Sequence, residues 1–158
     1  MPNHCQNLLV FERRNAIDVN KIQEKITTLG ELDFSRWLPE IPENDNWWQW
    51  RVDNWGTRSN AYETSIYIGF DVEDRADRFY DLEIRFQTAW GPPLVAIEQL
   101  YAFVGWPFKF HYFEGGWGSF GGIEEFGEKQ KIIFTQELDL DFPPKWLMEE
   151  FGFDSGFI

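Results

Sequence analysis

The run from Tyr80 to Thr88 constrains the fold of this chain more than any other stretch. Tyr80, Leu82, Ile84, Phe86 and Thr88 alternate strictly with Asp81, Glu83, Arg85 and Gln87. Successive side chains of a strand point to opposite faces, so this pattern describes a strand with one face in a core and the other wet or covered by charge. A strand of that kind needs partners, and residues 61–73 supply the first. They place Tyr62, Thr64, Ile66, Ile68 and Phe70 on one face and Glu63, Ser65 and Tyr67 on the other. The polar residues 71–78 turn the chain between the two.

The remaining elements fit around that hairpin. Leu8-Leu9-Val10-Phe11 is a short apolar run after a polar lead, expected to be a buried strand. Asp18 is placed to cap a helix whose Val19, Ile22, Ile26 and Leu29 follow a 3-4-3 spacing, with Gly30 as its terminator. A second helix follows Pro92-Pro93, carries Leu94, Ile97, Tyr101 and Val104, and stops at Gly105-Trp106-Pro107. Residues 108–113 and 131–136 read as further strands, and a short helix is expected around Trp146, Leu147 and Phe151. The order predicts an α+β chain of ferredoxin-like type. That is a split β-α-β sandwich, an antiparallel sheet with helices on one face, plus an extra C-terminal strand and helix. We expect a single domain over 1–158, with an insertion at about 33–60 and a C-terminal extension at about 139–158.

The insertion holds the strongest functional signal. Trp47, Trp48, Trp50 and Trp55 fall within nine residues, together with Arg51, Asp53, Asn54, Gly56 and Thr57. The segment shows neither a helical stripe nor a strand alternation, and it is expected to be a long ordered loop. Each tryptophan buries roughly 200 Å² and carries an N–H that wants a partner once buried. Trp50, Asn54, Trp55, Gly56 and Thr57 can meet Thr88, Trp90 and Gly91 from the strand–helix joint and Trp117 from the glycine-rich stretch 115–122. Either they lock the insertion onto the second helix, or they form an aromatic recess with amide and hydroxyl donors for a small ligand or peptide. Trp47, Trp48 and Arg51 are candidate anchors for a protein partner.

Charge narrows the partners. The 158 residues include 27 acidic and 14 basic side chains, a net charge of −13. Direct binding of nucleic acid, which relies on Lys and Arg displacing counterions, is therefore not expected. An acidic surface suits a partner with a basic face, including a nucleic-acid-binding protein whose site the carboxylates would occupy in place of phosphates. A dimer pairing its own tryptophans is the remaining arrangement, so either a monomer or a homodimer is expected. The polar N-terminus and the absence of a run of about 18 apolar residues point away from secretion and membrane insertion. A single cysteine suits a reducing cytoplasm.

Catalytic signatures are sparse. Cys5 could act as a nucleophile only with an imidazole in reach. His4 is its sequence neighbour and points to the opposite face of an extended segment, which leaves His111 if its strand lies alongside. Three Cys and His residues are too few for a structural zinc site, and no cofactor is expected. Asp53 with Glu114 or Glu124 is a nominal acid–base pair in a chain rich in acids. Residues 115–122 have no phosphate-loop spacing and are expected to form a wide hairpin loop or a lid.

Several blocks together resemble the YubB family of small phage and plasmid proteins. They are Met1-Pro2-Asn3 followed by Cys5 and Asn7; Trp50-Arg51-Val52-Asp53-Asn54-Trp55-Gly56-Thr57; Phe86-Gln87-Thr88-Ala89-Trp90-Gly91-Pro92-Pro93; and the Gly-Trp-Gly loop. The resemblance covers nearly the whole chain. It implies a ferredoxin-like domain and a mobile-element accessory protein in a bacterial cytoplasm, the host's if phage-encoded, without a known activity to carry over. His4 stands where the family has an aromatic, and Trp117 where a cysteine is frequent. The expected role is a non-enzymatic protein that binds and modulates a bacterial host protein. The alternative is a small-ligand binder or enzyme using the Trp55/Trp90 recess.

Overall fold

The computed structural model describes residues 3–41, 45–70, 79–115, 119–126, 132–137 and 145–151. In chain order the elements are β1 (His4–Arg14), α1 (Ala16–Ile26), the short strands β2 (Thr27–Thr28) and β3 (Glu31–Leu32), α2 (Trp47–Trp55), β4 (Tyr62–Phe70) and β5 (Tyr80–Ala89). They continue with α3 (Leu94–Val104), β6 (Phe108–Glu114), β7 (Ser119–Phe126), β8 (Ile132–Glu137) and α4 (Lys145–Phe151). Six strands form one sheet in the order β4-β5-β1-β6-β7-β8, with every neighbouring pair antiparallel. The chain is α+β, as expected.

Register separates the two faces of the sheet. Leu9 stands opposite Ile84 on one side and Phe110 on the other, and Cys5, Asn7 and Phe11 share that face with Leu82, Phe86 and Tyr112. This inner face is the core, closed by Val19, Ile22 and Ile26 of α1 and Ala96, Ile97, Leu100 and Val104 of α3. The strict alternation that singled out β5 is realised, since Leu82, Ile84, Phe86 and Thr88 are all buried. On the outer face Leu8 lies between Arg85 and His111. Helix α4 covers it there. The Arg85 guanidinium donates to the Glu150 carbonyl, His111 Nδ1 lies 2.7 Å from Glu150 Oε2, and the Phe113 and Phe151 rings are 6.1 Å apart.

The structure corrects several sequence expectations. Helix α1 is capped by Asn15, whose side chain accepts from the Asp18 amide at 2.8 Å, and it ends at Ile26. Leu29 is fully exposed. It and Gly30 both have positive φ, 53° and 81°, and form the turn between β2 and β3. The side chain of Arg36 then reaches back to the carbonyls of Glu24 and Lys25 at 2.7 and 3.2 Å, satisfying the end of α1. Tyr62 sits opposite Gln87, on the outer face, because an irregularity between Tyr62 and Ser65, with Glu63 at φ 50°, shifts the register. Part of the glycine-rich stretch is a strand, in which Gly121 and Gly122 pair with Tyr112 and His111.

The insertion is also more regular than expected. Residues 47–55 form a helix, and Asp33 fixes the segment that leads to it. Its Oδ1 accepts from the Ser35 amide and hydroxyl and from Asn60, and its Oδ2 from Thr28. Burial alone would raise the Asp33 carboxyl, but these donors outweigh it and hold the group below the usual aspartate value.

Candidate functional site

Helix α2 owes its existence to its two ends and one column of side chains. Asn46 accepts from the Trp50 amide through its carbonyl at 3.0 Å, and Gly56 ends the helix at φ 85°, its N–H reaching Arg51 and Val52. Trp47, Arg51 and Trp55 follow one another at four-residue spacing, so they stack on one side of the helix. The Arg51 guanidinium lies 4.8 Å from the Trp47 ring centre and 5.1 Å from that of Trp55. It also pairs with the Glu40 carboxylate and donates to the Arg58 carbonyl at 3.2 Å. Arg51 therefore pins the helix to the chain on either side of it, a larger structural role than that of a rim anchor.

The tryptophans divide sharply. Trp55 is 1% exposed, donates its N–H to the Leu38 carbonyl at 3.0 Å, and meets Phe34 and Trp50 edge-on. Trp47 and Trp48 remain 51% and 44% exposed. Arg58 lies over the Trp48 ring at 5.6 Å. Ile41, next to the Glu40 that holds Arg51, is also exposed. The result is two exposed indoles, each with a guanidinium group over its ring.

Two of the recess residues, Gly56 and Thr57, meet the β5–α3 connection. Thr57 is buried and donates to the Ala89 carbonyl at 2.9 Å, and the Ala89 amide donates to Ser59 Oγ at 2.8 Å. Thr88 donates to the Gly91 carbonyl at 2.6 Å and accepts from the Asn7 amide group at 3.1 Å. Asn54 turns back to the Trp50 carbonyl at 2.9 Å. Gly56 presses on the start of α3, where a Cβ would stand 2.9 Å from the Val95 nitrogen and 3.0 Å from the Leu94 nitrogen. Trp90, at φ 74°, is tied through its amide to Asn3 and keeps its ring 45% exposed. Gly56, Thr57 and Ser59 thus hold the end of α2 against the β5–α3 connection, whereas Asn54 bonds within α2, Thr88 and Gly91 bond to each other, and Trp90 is tied to Asn3. Trp117 lies outside the described residues.

The nucleophile reading fails on geometry. Strand β6 does lie beside β1, but His111 stands opposite Leu8 on the outer face, whereas Cys5 points into the core opposite Glu114. Burial pushes the Cys5 thiol far up, and the Glu114 charge adds to it. Asp53 is exposed and accepts from Gln49 at 2.8 Å, while Glu114 is buried on the far side of β1 from β5, so the two do not form a pair. The side chain of Glu124 is not among those described. Two features escaped the sequence reading, the Arg58–Trp48 stack and the Glu40–Arg51 pair. Four-residue spacing of Trp47, Arg51 and Trp55 was the available signal for the helix that creates them.

Among the described residues no helix is long and apolar enough to cross a membrane. The chain matches no family model, and comparison with curated proteins and with solved structures finds no similar protein.

Proposed function

We propose that this chain is a non-enzymatic phage or plasmid accessory protein that binds and modulates a bacterial host protein through the exposed end of α2. The observation that carries this reading is the contrast within one nine-residue helix, in which Trp55 is buried while Trp47 and Trp48 are held outward against Arg51 and Arg58. Tryptophan and arginine dominate the energetics of protein interfaces because they add large contact area and directed polar groups together. Here the guanidinium groups order the indoles before a partner arrives, which lowers the entropy lost on binding.

The surrounding charge selects the partner. A net charge of −13 attracts a basic surface, and the favoured partner is a nucleic-acid-binding protein of the host cytoplasm. The two helical crossovers and the order β4-β5-β1-β6 support the ferredoxin-like reading of the sheet, with β7, β8 and α4 added to it. That reading and the block resemblance to the YubB family support the mobile-element assignment. The small-ligand or enzymatic alternative has less to rest on, since Trp55, Thr57 and Thr88 are buried with their polar atoms engaged.

The test is affinity capture from a nuclease-treated bacterial lysate, with the parent protein beside a Trp47→Ala/Trp48→Ala variant that circular dichroism shows to be folded. The expected result is a stoichiometric, nucleic-acid-binding partner held by the parent, lost by the variant, and released by added duplex DNA. A partner retained by the variant would remove α2 as the anchor. Indifference to DNA would remove the mimicry.

A further inference from the structure

Strand β4 stands first in the six-stranded sheet and pairs with β5 alone, which leaves its other side as an edge. The main chain fixes which groups that edge presents. The Ala89 N–H and C=O are turned to Ser59 and Thr57, in the segment that enters β4, and so away from β1. Alternation along β5 then aims Arg85, Glu83 and Asp81 at β4, and their partners Ser65, Tyr67 and Gly69 turn their main-chain groups toward β5. The main-chain groups of Thr64, Ile66 and Ile68 point away from the sheet. Thr64 agrees, because its N–H donates to Glu31 Oε2 at 3.1 Å, on the side of β3.

The edge is guarded at one end and open beyond it. The irregularity at Glu63 and the Thr64 hydroxyl, which accepts from the Leu32 amide at 3.1 Å, seat the β2–β3 hairpin against the start of β4. Among the described residues, nothing bonds to the outward main-chain groups of Ile66 and Ile68. Residues 64–70 hold no proline and no charge, the features that close an edge against further pairing. Ile68 on the inner face is 43% exposed and Tyr67 on the outer face 63%, so an added strand meets an apolar side chain on each. The Tyr67 ring lies along Gly69, where a Cβ would stand 2.8 Å from it.

We propose that this edge takes an extended, basic segment of a partner protein as a seventh strand, hydrogen-bonded to Ile66 and Ile68. Strand addition draws affinity from the main chain and selectivity from the side chains beside it. Charge chooses the occupant. The charged residues of β3, β4 and β5 are Glu31, Glu63, Asp81, Glu83 and Arg85, and Arg85 is turned to the Glu150 carbonyl. A second copy, itself at −13, would set these acids against their own kind, whereas lysines or arginines on the added strand would meet carboxylates. The surface is separate from α2, which meets β5 at its Ala89 end.

The probe is the peptide acetyl-Lys-Thr-Val-Thr-Val-Thr-Lys-amide, titrated at low ionic strength into the full chain and read by amide chemical shifts and amide exchange. Saturable binding is expected, with shifts centred on residues 65–69 and exchange of the Ile66 and Ile68 amides slowed about tenfold or more at saturation. Glutamate in place of both lysines should weaken binding about tenfold, since two attractions become repulsions. Methylation of the valine and threonine main-chain nitrogens, which removes the peptide's donors and leaves the protein untouched, should abolish it. Absence of saturable binding, either altered peptide binding as tightly, or shifts centred elsewhere would each overturn the proposal. So would a chain that sediments as a dimer with Ile66 and Ile68 already protected, because the edge would then belong to a second copy.

Discussion

Cys5 sits where its chemistry is suppressed. Its side chain is fully buried between Thr88 and Glu114 on the neighbouring strands, and both burial and the Glu114 charge disfavour the thiolate, against a weaker hydrogen bond from Thr88. The consequence for stability has a definite sign. The unfolded chain loses the thiol proton near the ordinary value of 9.0, whereas the folded chain keeps it well beyond. The contribution of Cys5 is therefore complete below that value and is lost as pH rises above it, at about 1.4 kcal/mol per pH unit. Urea titrations across that range should show a steeper alkaline decline for the parent than for Cys5→Ala, beyond a constant offset for the smaller side chain. Parallel declines would mean that the thiol ionises in the folded state. The sequence placed Cys5 on an extended segment, in the polar lead to the first strand, and set His4 on the opposite face. It could not exclude His111, because that depends on whether Leu8 or Leu9 stands opposite it, and a shift of one residue exchanges the faces.

Helix α2 was misread for a physical reason. A packed helix announces itself by an apolar stripe, but the tryptophans of α2 point in several directions and only Trp55 is fully buried. Its stability comes instead from the Gly56 terminator, the Trp47–Arg51–Trp55 column and contact with α3. The strand β7 was missed because glycines carry no side-chain period to read, although Gly121 and Gly122 pair with β6. Strand β5 was legible for the opposite reason, since four alternate residues meet the core without interruption. Gly56 offers the sharpest test of how α2 is seated. A methyl group there would strain the left-handed backbone and stand within 3.0 Å of main-chain nitrogens at the start of α3, which cannot swing aside as a side chain would. Gly56→Ala should destabilise the protein by about 2–3 kcal/mol, combining left-handed strain with overpacking. Amide exchange should rise first in residues 47–56. A variant as stable as the parent would show that α2 rests loosely on α3.

Much of the topology was accessible because the alternating hairpin, the two helical stripes and the first strand each carry their own pattern. The approach of Thr57 to the strand–helix joint was legible as an association of blocks, but not as a hydrogen-bonded lock on Ala89, which depends on single carbonyl positions. The register slip between Phe11 and Arg14 was hidden because a left-handed arginine leaves no mark in the sequence. Charge is the property that acts over all these parts together. A net charge of −13 on a folded chain of 158 residues repels itself more in the compact state than in the expanded one. Raising sodium chloride from roughly 20 mM to roughly 150 mM shortens the screening length from about 20 Å to about 8 Å, so that repulsion across the fold is largely removed. The thermal midpoint at neutral pH should therefore rise by about 2–5 °C, corresponding to a stabilisation of roughly 1 kcal/mol. At about pH 5 protonation of part of the carboxylates and of the two histidines shrinks the net charge, and the same salt step should have a smaller effect. Equal salt effects at the two pH values would indicate general salting rather than charge repulsion. A midpoint that falls with salt at neutral pH would show that local attractions, such as Glu40–Arg51 and Glu12–Lys109, outweigh the repulsion of the acidic surface.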